Sequence, residues 1–163
     1  MKKLIVLTAF ISATVLLFGQ SNKNSLLNVG VGLSDWGVPV YIGLDSYVSS
    51  DVTVGGELSY RNYHQNVSDI YYDNTIIGIS GNFNYHFNRI LNIHPKRDLY
   101  AGLNLGFYIW SSPDDYNGTG TSGLGVGAQI GGRYYITRNT AVNLEFGGGN
   151  AFTNGKVGLS FTL

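Results

Sequence analysis

Cysteine is absent from the 163 residues, which excludes a disulfide framework, thiolate metal sites and the lipidated cysteine of a bacterial lipoprotein. Charge is scarce too. Only 12% of residues are charged, ten basic against ten acidic, so the chain lacks the basic face that nucleic acid requires, and nucleic acid is not expected as a partner. A long apolar run is also missing: the longest, Leu4 to Phe18, falls short of the roughly 20 residues a spanning helix needs. Lys2 and Lys3 precede it and the small residues Gly19 and Ser21 follow, the layout of a cleaved secretory signal peptide. Residues 1–21 are therefore expected to be a signal peptide, and 22–163 a single β-barrel domain.

What is abundant points one way. The chain has 23 Gly, 12 Tyr and 8 Phe with 44% hydrophobic residues, too apolar and aromatic for a disordered protein. After Ser25 the pattern alternates with period two, which sends successive side chains to opposite faces of a strand. Eight such runs can be read. Leu27, Val29, Val31 and Leu33 alternate with Asn28, Gly30, Gly32 and Ser34, and Val38, Val40, Ile42 and Leu44 with Tyr41, Gly43 and Asp45. Val52, Val54, Leu58 and Tyr60 oppose Thr53, Gly55, Glu57, Ser59 and Arg61; Ile77, Ile79, Phe83, Tyr85 and Phe87 oppose Gly78, Ser80, Asn82, Asn84 and His86. The later runs centre on Leu103, Ile130, Leu144 and Leu159.

Strands of about 9–11 residues with this alternation suit a tilted bilayer crossing, and eight is the smallest even number used by single-chain outer-membrane barrels. Closure is required, because an open edge in hydrocarbon leaves unpaired backbone groups. The expected fold is all-β: an eight-stranded antiparallel up-and-down transmembrane β-barrel. A soluble lipocalin-like barrel of the periplasm is the rival, and it demands the reverse arrangement, with the Val/Leu/Phe face around an internal cavity and charge outside. The polar face here is mostly Gly, Asn, Ser and Tyr, which fits a narrow lumen better than a wet exterior.

The charged members of that polar face are Asp45, Glu57, Arg61, His86, Arg133, Glu145 and Lys156. Charges in a water-poor lumen must be paired, so Glu57, Arg61, Arg133, Glu145 and Lys156 are expected to form a lumen polar network. Tyr41, Tyr100, Tyr108 and Tyr135 share the face and leave no room for a wide pore. On the apolar face, Tyr60 and Phe107 gather toward one end and Tyr85, Phe87, Tyr134 and Phe161 toward the other, as interface girdles require; Trp110 falls on the lumen phase.

With an exported start in the periplasm, the turns Ser49 to Asp51 and Thr137 to Asn139 lie inside. The outer connections are Asp35 to Gly37, Asn62 to Asn74, Ser111 to Thr121 and Gly149 to Gly155. The stretch Asn88 to Asp98 is long for an inner turn, and Pro95 marks it as a true loop. Acids (Asp35, Asp69, Asp73, Asp114, Asp115) fall outside and bases (Arg89, Lys96, Arg97, Arg138) inside. The outer tips, with Asp69, Tyr71, Tyr72, Asp114, Asp115 and Tyr116, are the expected contacts for an extracellular ligand or surface, since Tyr supplies contact area at low entropic cost.

YAGLNLGFY at Tyr100 to Tyr108, GLGVGAQIGGRYY at Gly123 to Tyr135 and the closing KVGLSFTL resemble the small outer-membrane β-barrels, OmpA- or OmpX-like and general porin-family barrels of bacteroidetes-type bacteria. The resemblance covers essentially the whole mature chain and implies a Gram-negative outer membrane, with membrane lipids and the barrel insertion machinery as partners. That machinery usually reads a terminal aromatic residue; this chain ends in Leu163, with Phe161 two before it.

Catalysis is not expected. Barrels that act on lipid A need a His beside a Ser and an acid. His64 has Ser68 and Asp69 near it in sequence but not the required spacing, and His86 and His94 belong to the lumen and the inner turn. No metal or cofactor is expected either: Asp115, Asn117 and Thr119 mimic the start of an EF-hand loop, but its twelfth position is Val126 instead of Glu.

Overall fold

The computed structural model describes residues 25–67, 70–111, 122–149 and 155–163, with the backbone alone at 64–67 and 70–73. Eight strands follow one another: β1 Ser25–Leu33, β2 Val40–Tyr47, β3 Val52–Val67, β4 Ile70–His86, β5 Arg97–Ser111, β6 Gly123–Tyr135, β7 Thr140–Gly149 and β8 Gly155–Thr162. Each pairs antiparallel with its sequence neighbours, and β8 pairs with β1, so the sheet closes into a barrel. No backbone edge is left along the barrel wall, as hydrocarbon requires.

The register fixes the shape. Stepping sideways through paired residues from Phe87 leads to Leu99, Gly132, Leu144, Val157, Val31, Val40, Tyr60 and then Ile77, so one circuit regains β4 ten residues from its start. Eight strands with a stagger of ten, a rise of about 3.3 Å per residue and a spacing near 4.7 Å tilt by ~40° from the barrel axis. The residues on this circuit are apolar or glycine, because paired residues share a face.

That face points out. Leu103, Leu105, Leu124, Val126, Ile130 and Phe146 are each more than half exposed, whereas the buried set is mostly Asn, Ser, Thr, Asp, Arg and His. A protein core is normally the reverse. The lipocalin-like alternative is overturned here: its apolar cavity would sit where Asn28, Asp45, Asn84 and Arg133 are buried.

One end carries short connections between β2 and β3 and between β6 and β7. Val48 N–H bonds the Val52 carbonyl at 3.0 Å, and Ile136 N–H bonds the Thr140 carbonyl at 2.9 Å. The start of β1 and the end of β8 lie at this same turn end, where Leu163 N–H reaches Ser25 O at 2.8 Å. At the opposite, hairpin end, β1 and β2 join through Asp35 and Trp36, bracketed by reciprocal Ser34 and Gly37 backbone bonds of 3.1 and 3.2 Å. Gly37 has φ +97°, which glycine tolerates, and a Cβ there would lie 2.7 Å from the Asn62 carbonyl oxygen.

Two boundaries differ from the sequence expectation. The stretch Asn62 to Asn74 is not a loop: β3 and β4 stay paired from Tyr60↔Ile77 out to Val67↔Ile70. Beyond Tyr60 both faces of the hairpin can be polar, so backbone pairing continues while the period-two signal fades. At the other end Asp98 belongs to β5, paired with Arg133, and the connection is confined to residues 87–96.

Candidate functional site: the polar lumen and its two mouths

The lumen is built by strand parity. Residues on the polar phase of neighbouring strands meet across hydrogen-bonded pairs, and glycines give their larger neighbours room. Tyr100 faces Gly131 in register, and a Cβ on Gly131 would sit 2.3 Å from the tyrosine Cζ. The ring therefore lies flat over Gly131, and its hydroxyl donates to Glu145 Oε2 on the next strand at 3.0 Å. Asp45 uses Gly55 in the same way, its Oδ1 occupying the place of the missing side chain.

Two ionic clusters result. In mid-lumen the Lys156 ammonium donates to Glu57 Oε2 at 2.8 Å and lies 3.0 Å from Glu145 Oε1, with Tyr41's ring 5.1 Å away. Nearer the turn end Arg133 donates to Asp98 Oδ2 at 2.9 Å, reaches Asp45 Oδ2 at 3.4 Å and bonds Ser160 Oγ at 3.3 Å. Asp98 also meets His86 Nδ1 at 2.8 Å, while His86 Nε2 is 3.1 Å from Thr53 Oγ1. Tyr100 joins the clusters, bonded to Glu145 and covered by the Arg133 guanidinium at 4.3 Å. Of the five residues grouped from sequence, Glu57, Glu145 and Lys156 meet directly and Arg133 joins them through Tyr100.

Arg61 stands apart. It donates to Ser34 Oγ at 2.8 Å and lies 5.6 Å from the Trp36 ring at the hairpin mouth. Trp36 packs there against Tyr108 at 5.1 Å and Trp110 at 5.3 Å, and Tyr63 flanks Trp110 at 5.9 Å. Trp110 thus belongs to the mouth, with its indole N–H donating to Asn74 Oδ1 at 3.3 Å, and not to a girdle.

Sequence reasoning missed two participants. Asp98 was hidden in the long connection, although its parity with Tyr100 and Gly102 already puts it on the lumen phase. Trp36 carried no periodic signal, because it occupies the tip of a two-residue turn.

Beside the mid-lumen cluster lies a small cavity of about 10 Å³, lined by Glu57, Asn82, Asn104, Glu145 and Lys156. That is the space of a single water. Among the described residues neither Asn82 Oδ1 nor Asn104 Oδ1, both buried, has a hydrogen-bond donor. The turn end opens instead into a vestibule of about 930 Å³, walled by Tyr47, Tyr135 and Lys96 with His86 and Asp98 at its floor. Among the described residues no cluster of His, Cys, Asp or Glu could hold a metal ion.

The proposed ligand contacts at the outer tips fall largely outside the described residues. Asp69, Asp114, Asp115 and Tyr116 lie outside them altogether, as does the signal-peptide segment, and Tyr71 and Tyr72 are placed on β4 by backbone alone.

No family profile and no curated protein matches this chain. Solved structures do. A de novo designed transmembrane β-barrel is similar at TM-score 0.53 and 17% identity, over 88% of this chain and 98% of its own. The neisserial surface protein NspA is similar at TM-score 0.54 and 15% identity, over 86% and 94%. The N-terminal β-barrel domain of Pseudomonas aeruginosa OprF follows at TM-score 0.51 and 19% identity, over 86% and 98%. At these identities the likeness is one of fold: this chain has the closed eight-stranded architecture of small transmembrane β-barrels.

Proposed function

We propose that this protein is an integral outer-membrane β-barrel of a Gram-negative bacterium, exported by a cleaved signal peptide, with a structural or surface-interaction role and no catalytic activity. The observation that carries the reading is the inverted distribution of polarity: leucine, isoleucine, valine and phenylalanine cover the outside, and paired charges, Asp45, Glu57, Asp98, Glu145, Arg133 and Lys156 among them, fill the inside. Such a surface is insoluble in water and matched to lipid. Membrane lipids and the insertion machinery are its constant partners in this reading. The turn end faces the periplasm and the hairpin end faces out, where β3 and β4 stand highest and Tyr71 and Tyr72 lie near the tip, placed to meet an extracellular ligand or surface.

The lumen is a plug and not a channel in this reading, because the Trp36 cluster, the mid-lumen cluster and the Arg133 layer block it in series. His86 is bonded to Asp98 and Thr53 inside the barrel, and among the described residues no serine is bonded to it. The test is detergent-dependent folding of the chain from Asn22 onward. Folding in micelles, with a heat-reversible shift in gel mobility, supports the membrane reading, and a soluble folded monomer in buffer alone refutes it. Planar-bilayer recordings of the folded protein should show no discrete conductance steps.

A further inference from the structure

The connection between β4 and β5 is the one turn-end element whose length the barrel does not need. Its counterparts span 48–51 and 136–139, whereas it occupies 87–96. It is also firmly built. Leu91 N–H bonds the Phe87 carbonyl and Ile93 N–H the Asn88 carbonyl, both at 2.9 Å, winding one helix-like turn. Asn88 fastens that turn to β5, donating to Arg97 O at 2.7 Å and accepting from Leu99 N–H at 3.0 Å. Arg89 ties it sideways to Asp51 of the β2–β3 turn. Asn92 takes φ 50°, a left-handed conformation that Asn tolerates better than most residues.

This rigid turn displays what a water-facing turn should not. Ile90 is 66% exposed and Leu91 60% exposed, side by side. Neither lines the vestibule, whose wall on this side is Asn88, Pro95 and Lys96. The turn departs from the apolar outer face: Phe87 N–H is bonded to Leu99 O, and Phe87 stacks edgewise on Tyr85 at 5.3 Å. Lys96 and Arg97 follow it, both exposed, and no acid among the described residues pairs with either.

We propose that residues 87–97 form an interfacial anchor: Ile90 and Leu91 enter the acyl-chain boundary of the adjoining leaflet while Arg97, on the outer phase beside Tyr134, holds the phosphate of an anionic phospholipid. The inference rests on the membrane reading above and adds a lipid preference to it. Two observations choose lipid over a protein partner. The apolar pair follows three and four residues after Phe87 at the edge of the apolar outer face, and the uncompensated charge is positive, complementary to phosphate. Headgroup attraction of this kind favours an anionic lipid by roughly fivefold per basic residue near the surface.

The experiment places a tryptophan in the turn by Leu91→Trp, with Ser50→Trp in the neighbouring β2–β3 turn as a water-facing reference and the parent protein as background for Trp36 and Trp110. Each protein is folded into phosphatidylcholine vesicles containing 20% phosphatidylglycerol, with bromine carried high on the acyl chains of one lipid or the other. In the Leu91→Trp protein the expected result is strong quenching of the new indole, severalfold stronger by brominated phosphatidylglycerol than by brominated phosphatidylcholine at equal mole fraction. In the Ser50→Trp protein the new indole should not be quenched by either lipid. The preference for phosphatidylglycerol should vanish in Leu91→Trp combined with Arg97→Gln. If the indole introduced by Leu91→Trp is quenched by aqueous acrylamide in place of bromolipid, or equally by the two lipids, the anchor is overturned. The gel-mobility shift of the same samples separates the two readings: a folded Leu91→Trp band whose new indole escapes bromolipid refutes the anchor alone, and no folded band in vesicles refutes the membrane reading as well.

Discussion

Lys156→Met is the most informative single change in the lumen. The Lys156 ammonium lies 2.8 Å from Glu57 and 3.0 Å from Glu145. At an effective dielectric near 20, each such contact supplies about 6 kcal/mol of attraction, which is offset by the several kcal/mol needed to strip water from each ion. The intact triad is therefore close to neutral. Methionine fills similar volume but leaves two carboxylates facing each other, with the Tyr100 hydroxyl as the remaining donor to Glu145. Removing one partner of a buried pair costs about 3–5 kcal/mol, and that range is the expected loss here. Reversible urea unfolding in lipid vesicles at pH 8, followed by tryptophan emission, measures it. The triple change Lys156→Met, Glu57→Gln, Glu145→Gln should recover most of the loss, since it removes the stranded charge. A Lys156→Met protein within about 1 kcal/mol of the parent, or a triple variant no better than the single one, would refute the account of the lumen as a dry, charge-matched interior.

Gly131→Val should prevent folding or cost at least about 2–4 kcal/mol by expelling the Tyr100 ring, whereas Gly148→Ala, where a Cβ meets nothing within 4 Å, should stay within about 0.5 kcal/mol of the parent in the same unfolding assay. Leu103→Arg puts a charge on the outer face of a strand at a side chain 63% exposed to the surroundings, and should lower stability in vesicles by about 2–4 kcal/mol. The same change would be nearly silent if that face met water. Asn88→Ala removes both fastenings of the β4–β5 turn and should cost about 1–2 kcal/mol, with faster amide exchange confined to Leu99 and its neighbours.

The strands were legible in the sequence wherever two different environments press on the two faces. Leu99 to Ile109 is one such stretch: every odd residue is apolar or alanine and every even one polar, glycine or tyrosine, so the strand and its facing are both readable. Where the environments become alike, the pattern disappears. The outer half of the β3–β4 hairpin, Asn62 to Asn74, reads as loop although its backbone stays paired to Val67↔Ile70. The partner of each lumen charge was not legible at all. Parity says that Arg61, Arg133 and Lys156 point inward, but the choice between Glu57 and Asp98 as partner depends on the ten-residue stagger, which is a property of the closed ring. Nor does parity give the contacts of Arg61 with Ser34 and Trp36 at the hairpin mouth, which come from the β1–β2 turn.

The join between β8 and β1 is a full ladder, paired from Leu26↔Thr162 to Leu33↔Gly155. Ser160 donates to Asn28 Oδ1 at 2.6 Å while accepting from Asn143 at 3.1 Å and Arg133 at 3.3 Å, so the last strand is bolted to the first, the sixth and the seventh. A ring with this seam has no privileged starting point. Linking the end of β8 to the start of β1 by a short peptide, and opening the chain instead at a hairpin on the far rim, would preserve every lumen bond while moving both chain ends to the opposite side of the bilayer. The molecule's interior dictates which strands are neighbours in a circle; which of them is translated first is a matter for export, and architecture is indifferent to it.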